Sequence, residues 1–338
     1  MTRDLPARPD LDQLRRQAKE LHRAAAARQP AALDRIAAVS DRVSLAAAQL
    51  AVAREHGVAS WPRLKLEVER KRLLNAGDVE GLARLVAAHP MLAVERVSDR
   101  FSDAGMDVLG YLTVARFHGL LDHDRADELA RVLLAAGAAV RLDPAQGDPD
   151  LIGAASYGEA GLVQVLLEAG ADLEAVGSTV LDGTALAHAV EFGNTEVVDI
   201  LVAAGAVVHD LVEAAGVGRT HKFLTAGTPL NDRARALRAA AINERVTTID
   251  ELLATGVPVD ADTDGSGATA LHWAAWNGKL SSVRHLLDRG ADPERRDLAY
   301  QATPLGWCRH RHAELARFRP QPRHAAVDQL LVAATTSP

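Results

Sequence analysis

Histidines beside carboxylates are the residue types best equipped for chemistry, and this chain offers one tight group of them: His118, Asp122, His123 and Asp124. A His-Asp pair can hold a divalent metal that activates water for hydrolysis, but the metal needs further ligands from distant positions to complete its shell. This group lies in one short stretch between two helical segments, so a metal-dependent hydrolase is the reading with least support. A second group, Trp307-Cys-Arg-His-Arg-His312, joins the only thiol to His310 and His312. With Arg309, Arg311, Arg317, Arg319, Arg323 and His324 it could hold zinc, grip phosphate, or form a solvated basic loop interrupted by Pro320 and Pro322. A third stretch, Asp264-Gly-Ser-Gly-Ala268, suits a loop tip better than a phosphate cradle. Neither a Gly-x-Ser-x-Gly elbow nor a Gly-x-x-x-x-Gly-Lys-Ser/Thr loop occurs. No catalytic set, cofactor or metal site is therefore expected.

The elements that carry these groups repeat. Gly-Ala pairs stand at Gly137-Ala138, Gly170-Ala171, Gly205-Ala206 and Gly290-Ala291, and the first two intervals are 33 and 35 residues. The clearest copy runs Thr269-Ala-Leu-His-Trp-Ala-Ala-Trp-Asn-Gly278, then Val283-Arg-His-Leu-Leu287, then Gly290-Ala-Asp-Pro293. Apolar residues at Val283, Leu286 and Leu287 have helical spacing, and Gly278 and Gly290 mark a turn and a helix end. A period of this length, built from helix pairs that cannot cover their own apolar faces, describes a stacked solenoid.

These motifs resemble the ankyrin repeat. The resemblance spans roughly 260 residues and implies an all-α solenoid of stacked helix-turn-helix units with loop tips, preceded by a small helical N-terminal region. It also implies that Thr269 and His272 tie down the turn backbone, that Trp273 is scaffold, and that the concave side binds partners. Repeats are expected from Asn75 onward. The second, Leu109 to Val140, has an insertion near 121–126; the third and fourth run Leu151 to Leu173 and Thr184 to Val208. The fifth starts at Asp210 and has a truncated second helix near Phe223-Leu224. The sixth, Ala234 to Asp260, has Glu244 in the glycine position between its helices. The seventh is the clear copy, and the eighth begins at Thr303-Pro-Leu305 and closes with Val327, Leu330 and Leu331.

Ahead of the array, Leu11, Leu14, Ala18 and Leu21 lie on one helical face; a short second helix is expected at about 31–38. Ser44 and Ser60 are placed to cap a third and a fourth helix, with Pro62 in the first turn of the fourth and Trp61 as a core or docking anchor. The stretch Ala53-Arg-Glu-His-Gly-Val-Ala-Ser-Trp-Pro-Arg-Leu-Lys65 resembles a segment found ahead of ankyrin arrays in some bacterial proteins. Two domains are expected, 1–73 and 74–338. The first carries 15 Lys+Arg against 9 Asp+Glu, and the second 23 against 36, so a basic leader precedes an acidic array within a net charge of −7. That balance disfavours a dedicated nucleic-acid binder. One cysteine excludes an intrachain disulfide, and no signal peptide or apolar run of 18 residues is present, so a monomeric cytoplasmic protein off the membrane is expected.

Function should then lie on the concave face, where counting from the small-residue pairs gives Ser156 and Tyr157, Glu191 and Phe192, Ile242 and Asn243, Trp276 and Asn277, and His310 and Arg311. Aromatic residues make up only 4% of the chain, yet three fall here. A binding stripe through Tyr157, Phe192 and Trp276 is expected, with Asn277, His310, Arg311 and the loop-tip residues Asp264, Ser266 and Tyr300 adding specificity toward a protein partner. The alternative uses the basic leader and C-terminal arginines to bind an anionic ligand or nucleic acid.

Overall fold

The computed structural model describes residues 5–97, 106–121, 123–141, 149–177, 182–316 and 322–336. Asp122, Arg317, Arg319 and Pro320, singled out above, lie outside them. The chain forms two compact units, Met1–Val140 and Arg141–Pro338. Among the described residues no helix is long and apolar enough to cross a membrane.

The first unit opens with α1 (Leu11–Ala26), α2 (Pro30–Ala37) and α3 (Leu45–Glu55), which bury Leu14, Ala18, Leu21, Ile36, Ala48 and Val52 in one core. Each start is set locally. Asp10 accepts bonds from the Asp12 and Gln13 amides at 2.8 and 3.2 Å, and Ser44 accepts one from Ala47 at 3.1 Å. Ser60 likewise caps α4 (Trp61–Ala76), with Pro62 in its first turn and Trp61 packed against the leader core. Helix α4 runs through the 73/74 position at which the charge balance changes. It buries polar groups as well as Leu64 and Val68. The Arg70 guanidinium donates to the carbonyls of Leu92, Glu95 and Arg96 and to the Glu67 carboxylate, while Lys71 and Asn75 hold the carbonyls of Pro6 and Ala7. Helices α5 (Val79–Ala88), α6 (Met91–Val94), α7 (Val108–Phe117) and α8 (Ala126–Ala135) complete the unit.

The second unit stacks helix pairs in sequence order: α9 (Asp150–Tyr157) with α10 (Ala160–Glu168), and α11 (Ala185–Glu191) with α12 (Thr195–Ala203). Repeat five has α13 (Leu211–Val217) and then only a 3-10 turn, Thr220–Lys222, where a second helix is due. Three full pairs follow: α14 (Leu230–Ile242) with α15 (Val246–Ala254), α16 (Ala270–Trp276) with α17 (Leu280–Asp288), and α18 (Pro304–Leu315) with α19 (Pro322–Thr336). Buried alanines such as Ala154, Ala189, Ala240 and Ala274 keep the first helices slim enough to stack closely.

The turn between the two helices of a repeat is also a socket. Gly278 has φ +65°, and a Cβ there would lie 3.0 Å from the imidazole of His324, which reaches over from α19 to donate from Nε2 to the Trp276 carbonyl at 2.9 Å. Asn194 treats Gly158 in the same way, donating to the Ala155 and Ser156 carbonyls at 2.7 and 2.9 Å. In the first unit His123 covers Gly77 and reaches the Leu74 carbonyl at 2.8 Å. In these three cases a side chain of a later repeat satisfies helix-end carbonyls of an earlier one.

Side-chain links also pass over truncated repeat five. Asn243 Nδ2 donates to the Val190 carbonyl at 2.9 Å, Arg238 pairs with Glu191 at 2.7 Å, and Arg245 pairs with Asp199. Lys279 of repeat seven donates to Gly193 O at 2.7 Å and to Thr195 Oγ1 at 3.0 Å. Repeat four is thus tied directly to repeats six and seven. Glu244 takes the left-handed conformation, φ +56°, at the position where other repeats have glycine.

Candidate partner-binding face

The strongest concentration of aromatic chemistry lies on repeats seven and eight. Thr269 begins α16 in a reciprocal cap with His272: the Thr269 amide donates to His272 Nδ1 at 3.2 Å, and His272 Nε2 donates to the Ala302 carbonyl at 3.2 Å. Burial pushes the His272 pKa down, which favours the neutral ring, and the bonds from the Thr269 amide and to the Ala302 carbonyl set its tautomer. Trp273 and Trp276, three residues apart, share one face of α16. Thr303 caps α18 and sets Trp307 between them, with ring centroids 5.1 Å from Trp273 and 5.7 Å from Trp276, both edge to face. Tyr300 meets Trp307 at 6.5 Å.

Polar partners hold these rings in place. Trp273 Nε1 donates to Asp264 Oδ2 at 3.1 Å and Trp307 Nε1 to Asp297 Oδ2 at 3.0 Å. Burial works to raise the Asp297 pKa, but donation from the Tyr300 amide, the Trp307 indole and the Ala302 amide overcomes it, and the carboxyl sits below its ordinary value. The Arg238 guanidinium lies 5.1 Å over Trp273, and Arg311 lies 5.0 Å over Trp276, against which His310 stacks at 6.0 Å. The loop tips of the two repeats are joined where Leu298 N donates to the Ser266 carbonyl at 2.7 Å. Leu298 and Tyr300, 69% and 78% exposed, protrude more than any other large hydrophobic side chain described.

The expected residues sort into three places. Trp276, Tyr300, His310, Arg311, Asp264 and Ser266 come together with Trp273 and Trp307. Tyr157 is half-buried on repeat three, and Phe192 meets His188 at 6.3 Å on repeat four, apart from the rings gathered on repeats seven and eight. Asn277 turns inward, with Nδ2 donating to the Trp273 carbonyl at 3.0 Å and Oδ1 beside Gly193, which makes it part of the packing between repeats. Trp307 escaped the count from small-residue pairs, and Trp273 was assigned to scaffold. A signal for both was present: Thr-x-Leu-x-Trp occurs at 269–273 and again at 303–307.

Among the described residues the other chemical groups do not assemble. His123 is engaged with Leu74, and its Nδ1 accepts from the Arg125 amide at 2.9 Å, while Asp124 pairs with Arg116. Cys308 is buried with Sγ 3.4 Å from the His324 carbonyl, and burial pushes its thiol up to about 12, so it is neither a nucleophile nor a ligand beside exposed His310. Asp260, Asp262 and Asp264 alternate as metal-binding carboxylates do, yet they accept bonds from the amides of Asp292, Gly265 and Ser266. Among the described residues no cluster could hold a metal ion.

Residues 209–297 match the family model for ankyrin repeats in three copies, which covers repeats five to seven and their tips. The array is an ankyrin-repeat solenoid. The chain is 35% identical over 119 residues to the zebrafish (Danio rerio) Ankyrin repeat and SAM domain-containing protein 6, covering 34% of this chain and 16% of that one. It is 31% identical over 185 residues to the Ankyrin repeat and KH domain-containing protein mask-1 of Caenorhabditis elegans, covering 50% and 7%. It is 37% identical over 95 residues to the Palmitoyltransferase Hip14 of Drosophila melanogaster, covering 26% and 15%. The chain thus spans less than a fifth of the length of these relatives. Among solved structures, the human ASB11 ankyrin repeat domain is 23% identical and is covered over 98% of its length and 67% of this chain, at a TM-score of 0.30. Ankyrin folds typically serve as protein interaction modules.

Proposed function

We propose that this chain is a non-catalytic scaffold that binds a partner protein on the face formed by the α16 and α18 helices and the loop tips of repeats seven and eight. The observation that carries this reading is the gathering of three of the chain's four tryptophans, Trp273 and Trp276 about Trp307, beside exposed Tyr300 and Leu298. Trp, Tyr and Arg are the types most enriched among residues that dominate binding energy, and rings already fixed by Asp264 and Asp297 lose little entropy on association. Tyr157 and Phe192 would extend the contact toward earlier repeats. The alternative anionic ligand is weakened because several of the basic groups are already paired: Arg35 with Glu55, Arg70 with Glu67, Arg72 with Glu69, Arg309 with Asp328 and Arg311 with Glu314.

The test is affinity capture at moderate salt, comparing the wild type with a Leu298→Ser/Tyr300→Ala variant whose helicity and unfolding are unchanged. A protein captured only by the wild type supports the reading. The same set captured by both overturns it.

A further inference from the structure

We propose that repeat eight docks through an acid-sensitive latch: protons taken up by two buried histidines, His272 and His324, free α18 and α19 from α16 and take the aromatic face apart while repeats three to six stay stacked. The device belongs to the fold and works with or without a partner on that face. Its geometry is paired. Each end of α16 is joined to repeat eight by an imidazole Nε2 that donates to a backbone carbonyl, His272 to Ala302 at 3.2 Å and His324 to Trp276 at 2.9 Å. Both rings are buried. In each, the other nitrogen has no place for a proton. Nδ1 of His272 accepts from the Thr269 amide at 3.2 Å, so a proton there would set donor against donor and break the cap. Nδ1 of His324 is buried with no hydrogen-bond partner, so a proton there would put a charge in a dry site.

Charged neighbours do not offset that cost. His324 faces His312, with ring centroids 6.2 Å apart, and Arg311, and both disfavour a proton on it. His272 has Asp297 in favour of a proton and Arg295 against it, but Asp297 already accepts from the Trp307 indole and the Tyr300 and Ala302 amides. Among the other elements around α16, Arg238 on α14 is paired with Glu191, and Lys279 at the start of α17 reaches Gly193. On α18 and α19, Glu314 faces His310 and Arg311 while Asp328 faces Arg309. Burial therefore holds both histidine pKa values below the ordinary value, although the bonds to Ala302 and Trp276 work the other way. A detached repeat eight takes protons that the docked one refuses, so docking weakens as pH falls below about 6.5. Elsewhere in the array the rings are placed differently. His209 and His285 face the carboxylates of Glu174 and Asp250 at 2.8 and 2.7 Å, and buried His188 lies 2.8 Å from the Ser156 hydroxyl, which can accept as well as donate.

The experiment reads the reactivity of Cys308, the chain's only thiol, in the full chain with dithiodipyridine, a reagent that attacks thiols in acid as well as near neutrality. Cys308 is buried in α18 with Sγ 3.4 Å from the His324 carbonyl, so it becomes accessible when α19 leaves. From about pH 7 to about pH 5.5, wild-type labelling relative to a cysteine peptide at the same pH should rise by up to about eightfold for each histidine, with the helical circular dichroism largely kept. His324→Asn and His272→Gln are non-titrating counterparts. Asn194 makes the same kind of carbonyl bond over Gly158, and glutamine in the His272 position completes a capping box. Each variant should shrink the rise, and the two together should abolish it. Labelling that stays constant over the window, a rise that survives in the paired variant, or loss of most of the helical signal at the same pH would each overturn the latch. Should the paired variant prove open at neutral pH, hydrogen exchange on the wild type decides: protection lost in α16, α18 and α19 alone supports the latch, and loss spread through α9 to α15 overturns it.

Discussion

Replacing Gly278 with alanine should cost far more than the same change at Gly290, although both glycines are left-handed, with φ +65° and +85°. An L side chain in that region costs about 1–2 kcal/mol. At Gly290 nothing lies within 4 Å of the new methyl group, so that cost stands alone. At Gly278 the methyl group meets the His324 ring at 3.0 Å, and the ring must leave the Trp276 carbonyl to which it donates at 2.9 Å. His324 is only 5% exposed, so the separated donor and acceptor stay largely dry, adding about 1–3 kcal/mol. Gly278→Ala is therefore expected to lose about 2–5 kcal/mol. Urea unfolding followed by tryptophan emission suits the test, because Trp273, Trp276 and Trp307 all report on repeats seven and eight. A double-mutant cycle with His324→Ala adds the decisive arm: without the imidazole, Gly278→Ala should fall back to the backbone cost of about 1–2 kcal/mol. Equal losses at 278 and 290, or a cost at 278 indifferent to His324, would refute the socket.

Lys279 gives a pH signature. Burial lowers its pKa from 10.5 to about 8. Below that range both folded and unfolded chains hold the proton, and the fold bears the cost of a buried ammonium; between about 8 and 10.5 the folded state sheds it first, so stability rises with pH, by roughly 3 kcal/mol at most. Denaturation of the wild type and Lys279→Met across that window should show the wild type gaining on the variant, and a constant difference would contradict this. Cys308, pushed up to about 12 and buried, should resist alkylation near pH 8 until the last repeats unfold; rapid labelling of the native chain would count against its placement. Asn243→Ala removes a fully buried link over repeat five and should cost about 1–3 kcal/mol while raising amide exchange in α11; unchanged exchange there would mean the link is dispensable. Trp276→Ala should weaken the partner complex by about 2 kcal/mol or more, read by calorimetry against a folded control; unchanged affinity with a lowered Tm would make Trp276 a packing residue.

The sequence made local features legible and left side-to-side ones hidden. Ser44 and Ser60 announce helix starts because a cap is made within three residues, and the weak pattern after Gly216 marks the missing helix of repeat five. His324 over Gly278 and Lys279 at Gly193 join residues 46 and 86 positions apart, and no periodicity within one repeat contains them. Polar residues in α4 are buried, because Arg70, Lys71 and Asn75 each find carbonyls supplied by distant backbone. The candidate face was half legible: Trp276, Tyr300, His310, Arg311 and Asp264 were singled out one by one. That Trp307 gathers them depends on how α18 packs against α16, a matter of neighbouring repeats.

The most direct measurement is hydrogen exchange on the full chain, free and saturated with its captured protein partner. The expected footprint is slowed amide exchange at 262–268, at 297–302 and along the exposed edge of α18 around His310. Slowed exchange confined to the leader or to repeats one to three, with these segments unchanged, would contradict the assignment of the partner to this face.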